Sequence, residues 1–419
     1  MRKVLILTRD LSYPGGSEKF MLNMLLDNNS KDLQFYLFEI EGSGKFTNLH
    51  IYKLLEQRGV KVVRKDFGND FSYKKILFVS NLIRTEQIDI VHSFLFNADL
   101  VAFFCKLGNK KALDLMESIP SRRKLSLILT GDIFENDENL EPTKFLWVST
   151  KFCSFSVDLE KDTEEWHLRK SIIDNELESV ISKCCDYIVA VTNNIKKLWA
   201  SKSRSPITVI PCTSIGLDDL SRIEELINKK SQLRREYNIP TDKLVFTYVG
   251  RLEINKGILE LIKAFNIISN NHNNSILLVV GDGTISDDVK KISADNAFIK
   301  ILGHKDHKEI LEIDTLSDFF CLFSYSEGLP LAVQEAMSTF NPILCSNAGG
   351  IPDLVRKNNG KLIDVKDIGT KSILNTLDWA FGLSSVERKT LSQNSYKRIK
   401  DLFLNESSFN KYHKLYERL

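Results

Sequence analysis

The residues best suited to chemistry are Glu327 and Glu335, in the stretch Ser324-Tyr325-Ser326-Glu327-Gly328-Leu329-Pro330-Leu331-Ala332-Val333-Gln334-Glu335-Ala336-Met337. The apolar run before it, Phe319-Phe320-Cys321-Leu322-Phe323, reads as a strand buried on both faces of a parallel sheet. Leu331 to Ser338 reads as a helix, and Pro330 suits its first position, where the missing N–H costs nothing. A strand, a small-residue turn and a helix start leave backbone N–H groups and a helix dipole pointing at one place, which favours an anion. Ionised carboxylates accept hydrogen bonds from hydroxyls. Together these are the requirements of a sugar nucleotide: N–H groups for pyrophosphate, carboxylates for sugar and ribose. The competing reading is an ordinary strand–loop–helix crossover with a solvated glutamate.

Other strand ends in the same half add to the pattern. After Leu244–Val249 comes Gly250-Arg251-Leu252-Glu253-Ile254-Asn255-Lys256-Gly257. Arg251 offers a bidentate fork and Lys256 a point charge for phosphate oxygens, and glycine permits close approach. By itself this run is equally a turn with surface cations. Further strands end at Gly281-Asp282-Gly283 and Gly303-His304, and Ser346-Asn347-Ala348-Gly349-Gly350-Ile351-Pro352-Asp353 forms another glycine loop before a helix. Each is weak alone; gathered at one sheet edge they describe a site.

The elements that must hold these residues alternate regularly. In the first half, strands are expected at Val4–Thr8, Gln34–Ile40, Val60–Val63, Asp89–Phe94, Leu125–Leu129 and Asp186–Val191, with helical patterns between them. Residues 133–162 break the rhythm and leave open a mobile acceptor-side loop or an inserted hairpin. Ser201-Lys202-Ser203-Arg204-Ser205-Pro206 reads as the boundary, followed by a short strand at Ile207–Pro211. A second series then places strands at Leu244–Val249, Ile276–Val280, Ile299–Leu302, Phe319–Phe323, Ile343–Cys345 and Lys361–Val365. Strands separated by helices of this size imply right-handed crossovers and parallel, doubly wound sheets. The fold class is therefore α/β with two Rossmann-like domains facing a central cleft, residues 1–203 for an acceptor and 204–395 for the nucleotide, the helix 396–419 packing back on the first. Ligands of such sheets bind outside the carboxyl ends of the strands.

Composition narrows the function. Lys+Arg 57 against Asp+Glu 55 leaves +2, so no global field points to nucleic acid. No apolar run approaches the ~20 residues of a membrane helix. The chain opens on strand-like Val4–Leu7, which reads as no signal peptide, and its seven cysteines, without Cys-x-x-Cys spacing, fit reduced thiols in a cytoplasm.

The motifs resemble those of the family 4 retaining glycosyltransferases of GT-B fold (glycosyl transferases group 1). The matching residues are Gly250-Arg251-Leu252 with Lys256-Gly257, Gly281-Asp282-Gly283, Glu327 and Glu335 within Glu-Gly-Leu-Pro-Leu-x-x-x-Glu-Ala-Met, Gly349-Gly350-Ile351-Pro352-Asp353, and Gly15-Gly16-Ser17-Glu18 after the first strand. The resemblance spans most of the chain and is strongest over residues 243–366. It implies that Arg251 and Lys256 bind the donor diphosphate, which needs no metal or other cofactor. It implies that Glu335 accepts from the ribose, and that Glu327 holds the donor sugar while the amides of Gly328 and Leu329 support it. Gly250 and Gly281 would line the donor, His304 would meet the base, and Gly16 would let N–H groups approach the distal phosphate. The family's histidine in the N-terminal half is replaced at Leu129-Thr130-Gly131-Asp132, so Asp132 or His92 is expected to stand in. A packed, structural His92 is the alternative.

The implied partners are a nucleotide-sugar donor, UDP-linked, a glycan or lipid-linked acceptor, and a partner glycosyltransferase or a second copy. Arg122-Arg123-Lys124 with Lys106, Lys110, Lys111 and apolar Phe103-Phe104 would attach the chain to the inner membrane face, or form a solvated basic surface. A binding-only subunit and a sugar-nucleotide epimerase are the other readings left open. A dehydrogenase fits poorly, because the first strand leads to Tyr-Pro-Gly-Gly-Ser and not Gly-x-Gly-x-x-Gly.

Overall fold

The computed structural model describes residues 1–8, 11, 16–26, 30–40, 49–65, 67, 73–108, 110–112, 115, 140–151, 177–213, 215, 217–404 and 408–419. Contacts between residues divide the chain into two compact units: Met1–Cys212 with Glu406–Leu419, and Thr213–Asn405.

The first unit is a seven-stranded sheet in which every neighbouring pair runs parallel. Its strands are β1 (Arg2–Thr8), β2 (Leu33–Glu39), β3 (Lys61–Val63), β4 (Ile90–Phe94), β5 (Leu146–Lys151), β6 (Tyr187–Ala190) and β7 (Ile207–Val209), in the order β3-β2-β1-β4-β5-β6-β7. Val4 to Leu7 and all of β4 are buried, as apolar runs covered by helices on both faces must be. Helices Gly16–Leu26, Leu49–Gln57, Tyr73–Glu86, Phe96–Leu107 and Asn193–Ala200 connect the strands. The chain winds outward from β1 through β2 and β3, then returns to β4 on the other side. The turn after β4 is tight enough to hold Leu95 at φ 74° and ψ 164°, a backbone region normally left to glycine.

The second unit is a six-stranded parallel sheet of β8 (Leu244–Val249), β9 (Ser275–Val280), β10 (Ile299–Gly303), β11 (Phe319–Leu322), β12 (Ile343–Ser346) and β13 (Gly360–Ile363). Its order, β10-β9-β8-β11-β12-β13, reverses between β8 and β11. The loops leaving these two strands therefore flank the crevice where open α/β sheets take their ligands. The stacked rings of Phe246 and Phe319, 5.3 Å apart, pack β8 on β11 directly beneath that point.

The expected α/β, doubly wound organisation holds for each unit, with corrections in detail. The strand between β4 and β6 is Leu146–Lys151, within residues 133–162, where the sequence pattern shows no regular element; Leu125–Leu129 lies outside the described residues. Ile207–Val209 belongs to the first sheet, because Ile188 pairs with Ile207 and the Ile188 N–H donates to Pro206 O at 2.9 Å. The boundary thus falls after Cys212 and not at 203. The tail is not one piece: helix Ser385–Ile399 stays with the second unit, and only Glu406–Leu419 joins the first. There the helix Ser408–Arg418 buries Tyr412 and Tyr416 completely, with Phe20 5.6 Å from Tyr412 and Phe35 5.8 Å from Tyr416. Pro330 caps the helix Leu331–Ser338 from just outside, at ψ 122°, and is not its first residue.

Candidate functional site

In the second unit, backbone proximity builds the loops and side chains then fill them. A Cβ on Gly349 would stand 1.6 Å from Glu327 O, and one on Gly281 1.9 Å from Gly250 O. Only glycine lets these strand ends approach so closely, and Gly281 also takes φ 134°. The Gly350 N–H donates to Gly328 O at 2.7 Å, which seats the β12 loop on the turn after β11. The Tyr325 N–H donates to Asn255 O at 2.9 Å and joins that turn to the short helix Ile254–Lys256 after β8.

The expected residues divide by circumstance. Lys256 Nζ donates to Glu327 Oε1 at 2.7 Å, and Ser324 Oγ donates to the same oxygen at 2.7 Å. The pair lies just below the surface, its side chains 15% and 10% exposed. Arg251 extends into solvent with its side chain 69% exposed and touches only the carboxylate of Glu253 among the contacts described, at 2.6 Å. The Tyr248 hydroxyl donates to Arg251 O at 2.8 Å and holds that loop against β8. Gly328 is half-buried and Leu329 buried at the turn, and His304 is exposed after β10. Asp282 accepts from the Gly283 N–H at 2.8 Å and from Ser286, which closes the β9 loop on itself.

Glu335 is buried within its helix and meets a residue that spacing alone does not reveal. His307, the first residue of helix His307–Leu316, reaches Glu335 Oε1 through Nδ1 at 3.2 Å and Asp219 Oδ1 through Nε2 at 3.2 Å. Hydrogen bonds to Asp219 and then to Glu335 raise its pKa to about 10, against the opposing effect of burial. Two turns further along the same helix, Asp314 is fully buried, and neither of its carboxylate oxygens has a hydrogen-bond partner among the described residues. Burial, and then the charge of Glu335, hold Asp314 well above the usual carboxylate range. The one signal available in the sequence was the N-cap Asp306, whose capping box with Glu309 marks where that helix must begin.

The first unit treats its candidates differently. Gly16 opens the helix Gly16–Leu26 and is exposed, and nearby Glu18 is buried, accepting from Ser17 Oγ at 2.7 Å. Asp132, with Thr130 and Gly131, lies outside the described residues. His92 does not end at an exposed strand edge. It is wholly buried, Nδ1 facing the Tyr416 hydroxyl at 2.5 Å and Nε2 the Thr150 hydroxyl at 2.6 Å, with the Tyr412 ring stacked 5.5 Å away. Burial pushes its pKa down to about 3, so it is a neutral, packed histidine and not a group presented to substrate.

At the carboxyl end of β5 the same unit buries an ion triad that the sequence did not announce. Lys151 Nζ meets Asp99 Oδ2 at 2.5 Å and Glu178 Oε1 at 3.1 Å, and lies over the Trp199 ring at 4.5 Å. Burial would lower the Lys151 pKa, but the charges of Asp99 and Glu178 outweigh it and hold the ammonium protonated. Burial raises the Glu178 pKa against the pull of Lys151.

The apolar half of the expected membrane patch is also internal. Phe103 and Phe104 are core residues, 0% and 1% exposed, and Lys106 is committed to Asp186 and to Phe145 O. Arg122, Arg123 and Lys124 lie outside the described residues. Among the described residues no helix is long and apolar enough to cross a membrane.

Known proteins resemble this chain in sequence and in fold. Residues 229–398 match the family described as "Glycosyl transferases group 1". The chain is 33% identical over 213 residues to the UDP-Gal:alpha-D-GlcNAc-diphosphoundecaprenol alpha-1,3-galactosyltransferase of Escherichia coli, covering 48% of this chain and 52% of that one. It is 30% identical over 179 residues to the putative teichuronic acid biosynthesis glycosyltransferase TuaC of Bacillus subtilis, 43% of each chain. The matches thus span about half the length of these relatives. Among solved structures, Anabaena Alr3699/HepE in complex with UDP-glucose superposes with a TM-score of 0.69 over 100% of both chains at 16% identity. At that identity the likeness establishes the fold alone, and the fold is GT-B.

Proposed function

From residues 229–398 as a domain of the glycosyl transferases group 1, we propose that this chain is a retaining glycosyltransferase of family 4. It moves a hexosyl or N-acetylhexosaminyl group from a UDP-sugar to a glycan or lipid-linked acceptor in cell-surface polysaccharide synthesis. One observation carries the reading: Lys256, Ser324 and Glu327 converge at the loops of β8 and β11, where the sheet order reverses. The named activities of the Escherichia coli and Bacillus subtilis relatives, and the UDP-glucose held by the Anabaena protein, support the donor and acceptor classes.

On this reading Arg251 and Lys256 take the diphosphate and stabilise the charge that collects on it as the glycosidic bond breaks. A diphosphate at Lys256 supplies the ammonium with a second anion, and Glu327 is released to hydroxyls of the donor sugar. Glu335 accepts from the ribose. Front-face displacement needs no protein nucleophile, and the two cations make the leaving group's departure independent of a divalent metal.

The test is a donor panel: UDP-, GDP- and ADP-sugars incubated with the chain alone, with and without EDTA, and assayed for hydrolysis and transfer. Hydrolysis of a UDP-sugar that persists in EDTA is the expected result. Nucleotide binding without turnover of any donor favours instead a binding-only subunit, a reading supported by the sealed position of His92. Release of an altered nucleotide sugar without acceptor identifies an epimerase.

A further inference from the structure

We infer that His307 is the positioning residue of the nucleoside half of the donor site, a partly buried cation that holds Glu335 in register for the ribose. The inference rests on the reading of Glu335 given under the proposed function.

Three elements meet at this ring. His307 begins the helix that follows β10 and the exposed loop at His304, Glu335 comes from helix Leu331–Ser338, and Asp219 from helix Leu217–Asn228. Both ring nitrogens face carboxylate oxygens at 3.2 Å. Ionised carboxylates only accept, so both nitrogens must donate, and an imidazole with two N–H groups is the charged form. The high pKa noted above agrees with this geometry.

The surroundings explain why a cation is needed. Glu335 is 7% exposed, Asp219 lies on the far side of the ring, and the fully buried Asp314 is close enough to feel the charges of Glu335 and His307. Without the imidazolium, the Glu335 and Asp219 carboxylates lose the cation that bridges them, and Asp314 stays buried close by. A buried carboxylate in that position takes up a proton or turns toward water. Either response spoils it as an acceptor for ribose hydroxyls. The diphosphate residues are not involved: Lys256 pairs with Glu327, and Arg251 with Glu253. Loss of His307 should therefore be felt in nucleoside recognition and not in pyrophosphate recognition.

Calorimetry with UDP and with inorganic pyrophosphate separates the two. Loss of a charge-assisted hydrogen bond corresponds to about ten- to hundred-fold in affinity. His307→Leu is expected to weaken UDP by that factor and to leave pyrophosphate within about two-fold. His307→Gln, which keeps an N–H donor without the charge, should recover part of the loss and also serves if the leucine variant folds poorly. In a Glu335→Gln background His307→Leu should cost little more, because residues acting through one contact are not additive. In steady state the effect should fall on KM for the donor and not on kcat. Equal losses for UDP and pyrophosphate, or full additivity with Glu335→Gln, would overturn the inference. Unchanged UDP affinity in His307→Leu overturns it alone. Absence of binding of UDP, GDP and ADP alike by the unaltered chain overturns the nucleotide-sugar reading and this inference with it.

Discussion

Each unit gathers charged groups at the carboxyl ends of its central strands, and the two units dispose of them in opposite ways. In the first, Lys151, Asp99 and Glu178 close on one another below the surface, and His92 is sealed between Tyr416 and Thr150. In the second, Arg251 stands in solvent, and the Lys256–Glu327 pair lies near enough to the surface for a ligand to compete for it. The histidines sharpen the contrast: His92 is held neutral by burial, and His307 is held charged by its acids. A perturbed residue is thus no guide to function until its partners are known. A charge whose partners are all internal and buried is architecture, and one whose partner is exchangeable is a candidate for binding.

Breaking the first unit's triad should give the largest effect. Lys151→Met leaves Asp99 and Glu178 buried without a cation and is expected to cost about 3–5 kcal/mol in urea unfolding. Replacing all three by apolar residues of similar volume should recover much of that loss. A silent Lys151→Met would mean that water reaches the triad and that the contrast between the units is false.

The second unit should respond in rate and not in stability. Arg251→Ala and Lys256→Ala are expected to lower turnover by about 10²–10³-fold, as loss of a group that stabilises developing charge does. The exposed Arg251→Ala should leave unfolding within about 0.5 kcal/mol. Wild-type turnover in both variants would remove the leaving-group assignment.

The smallest and most direct test is histidine titration by NMR. His92, with its pKa lowered to about 3, should still be neutral at pH 5, and His307, raised to about 10, still charged at pH 8. The stability consequences have opposite signs. The unfolded chain takes up a proton near pH 6.5 that buried His92 refuses, so His92 erodes stability as pH falls from about 6.5 toward 3. The His307 contribution is complete below about 6.5 and is lost as pH rises through about 10. Ordinary titration near 6.5 at either ring would break the comparison.

How much of this could be read in advance follows from distance along the chain. The β8–β13 series and its glycine loops were legible, because strand, turn and helix signals lie within a few residues of one another. The Glu327 and Lys256 positions were legible through motif spacing, although not their mutual ion pair. His307 was missed because its partners, Asp219 and Glu335, sit on two other helices. Lys151 was missed because Trp147 to Lys151 was read as part of an irregular insert, whereas pairing with β4 and β6 on both sides makes it a central strand. Phe103-Phe104 looked like an exposed apolar patch beside lysines because local sequence does not say which face of a helix is covered.

The return of Ser408–Arg418 to the first unit has a consequence for biosynthesis. Contacts such as His92 to Tyr416 span 324 positions, with the whole of the second unit between them. Domains generally fold as units, the earlier one first, while the chain is still emerging from the ribosome. Here the unit that begins first cannot bury His92 and Phe35 until Tyr412 and Tyr416 have been translated. The second unit, contiguous from Thr213 to Asn405, has all its strands well before that. The order of completion is therefore reversed relative to the order of synthesis, and the half-built first sheet is the species that a chaperone would meet.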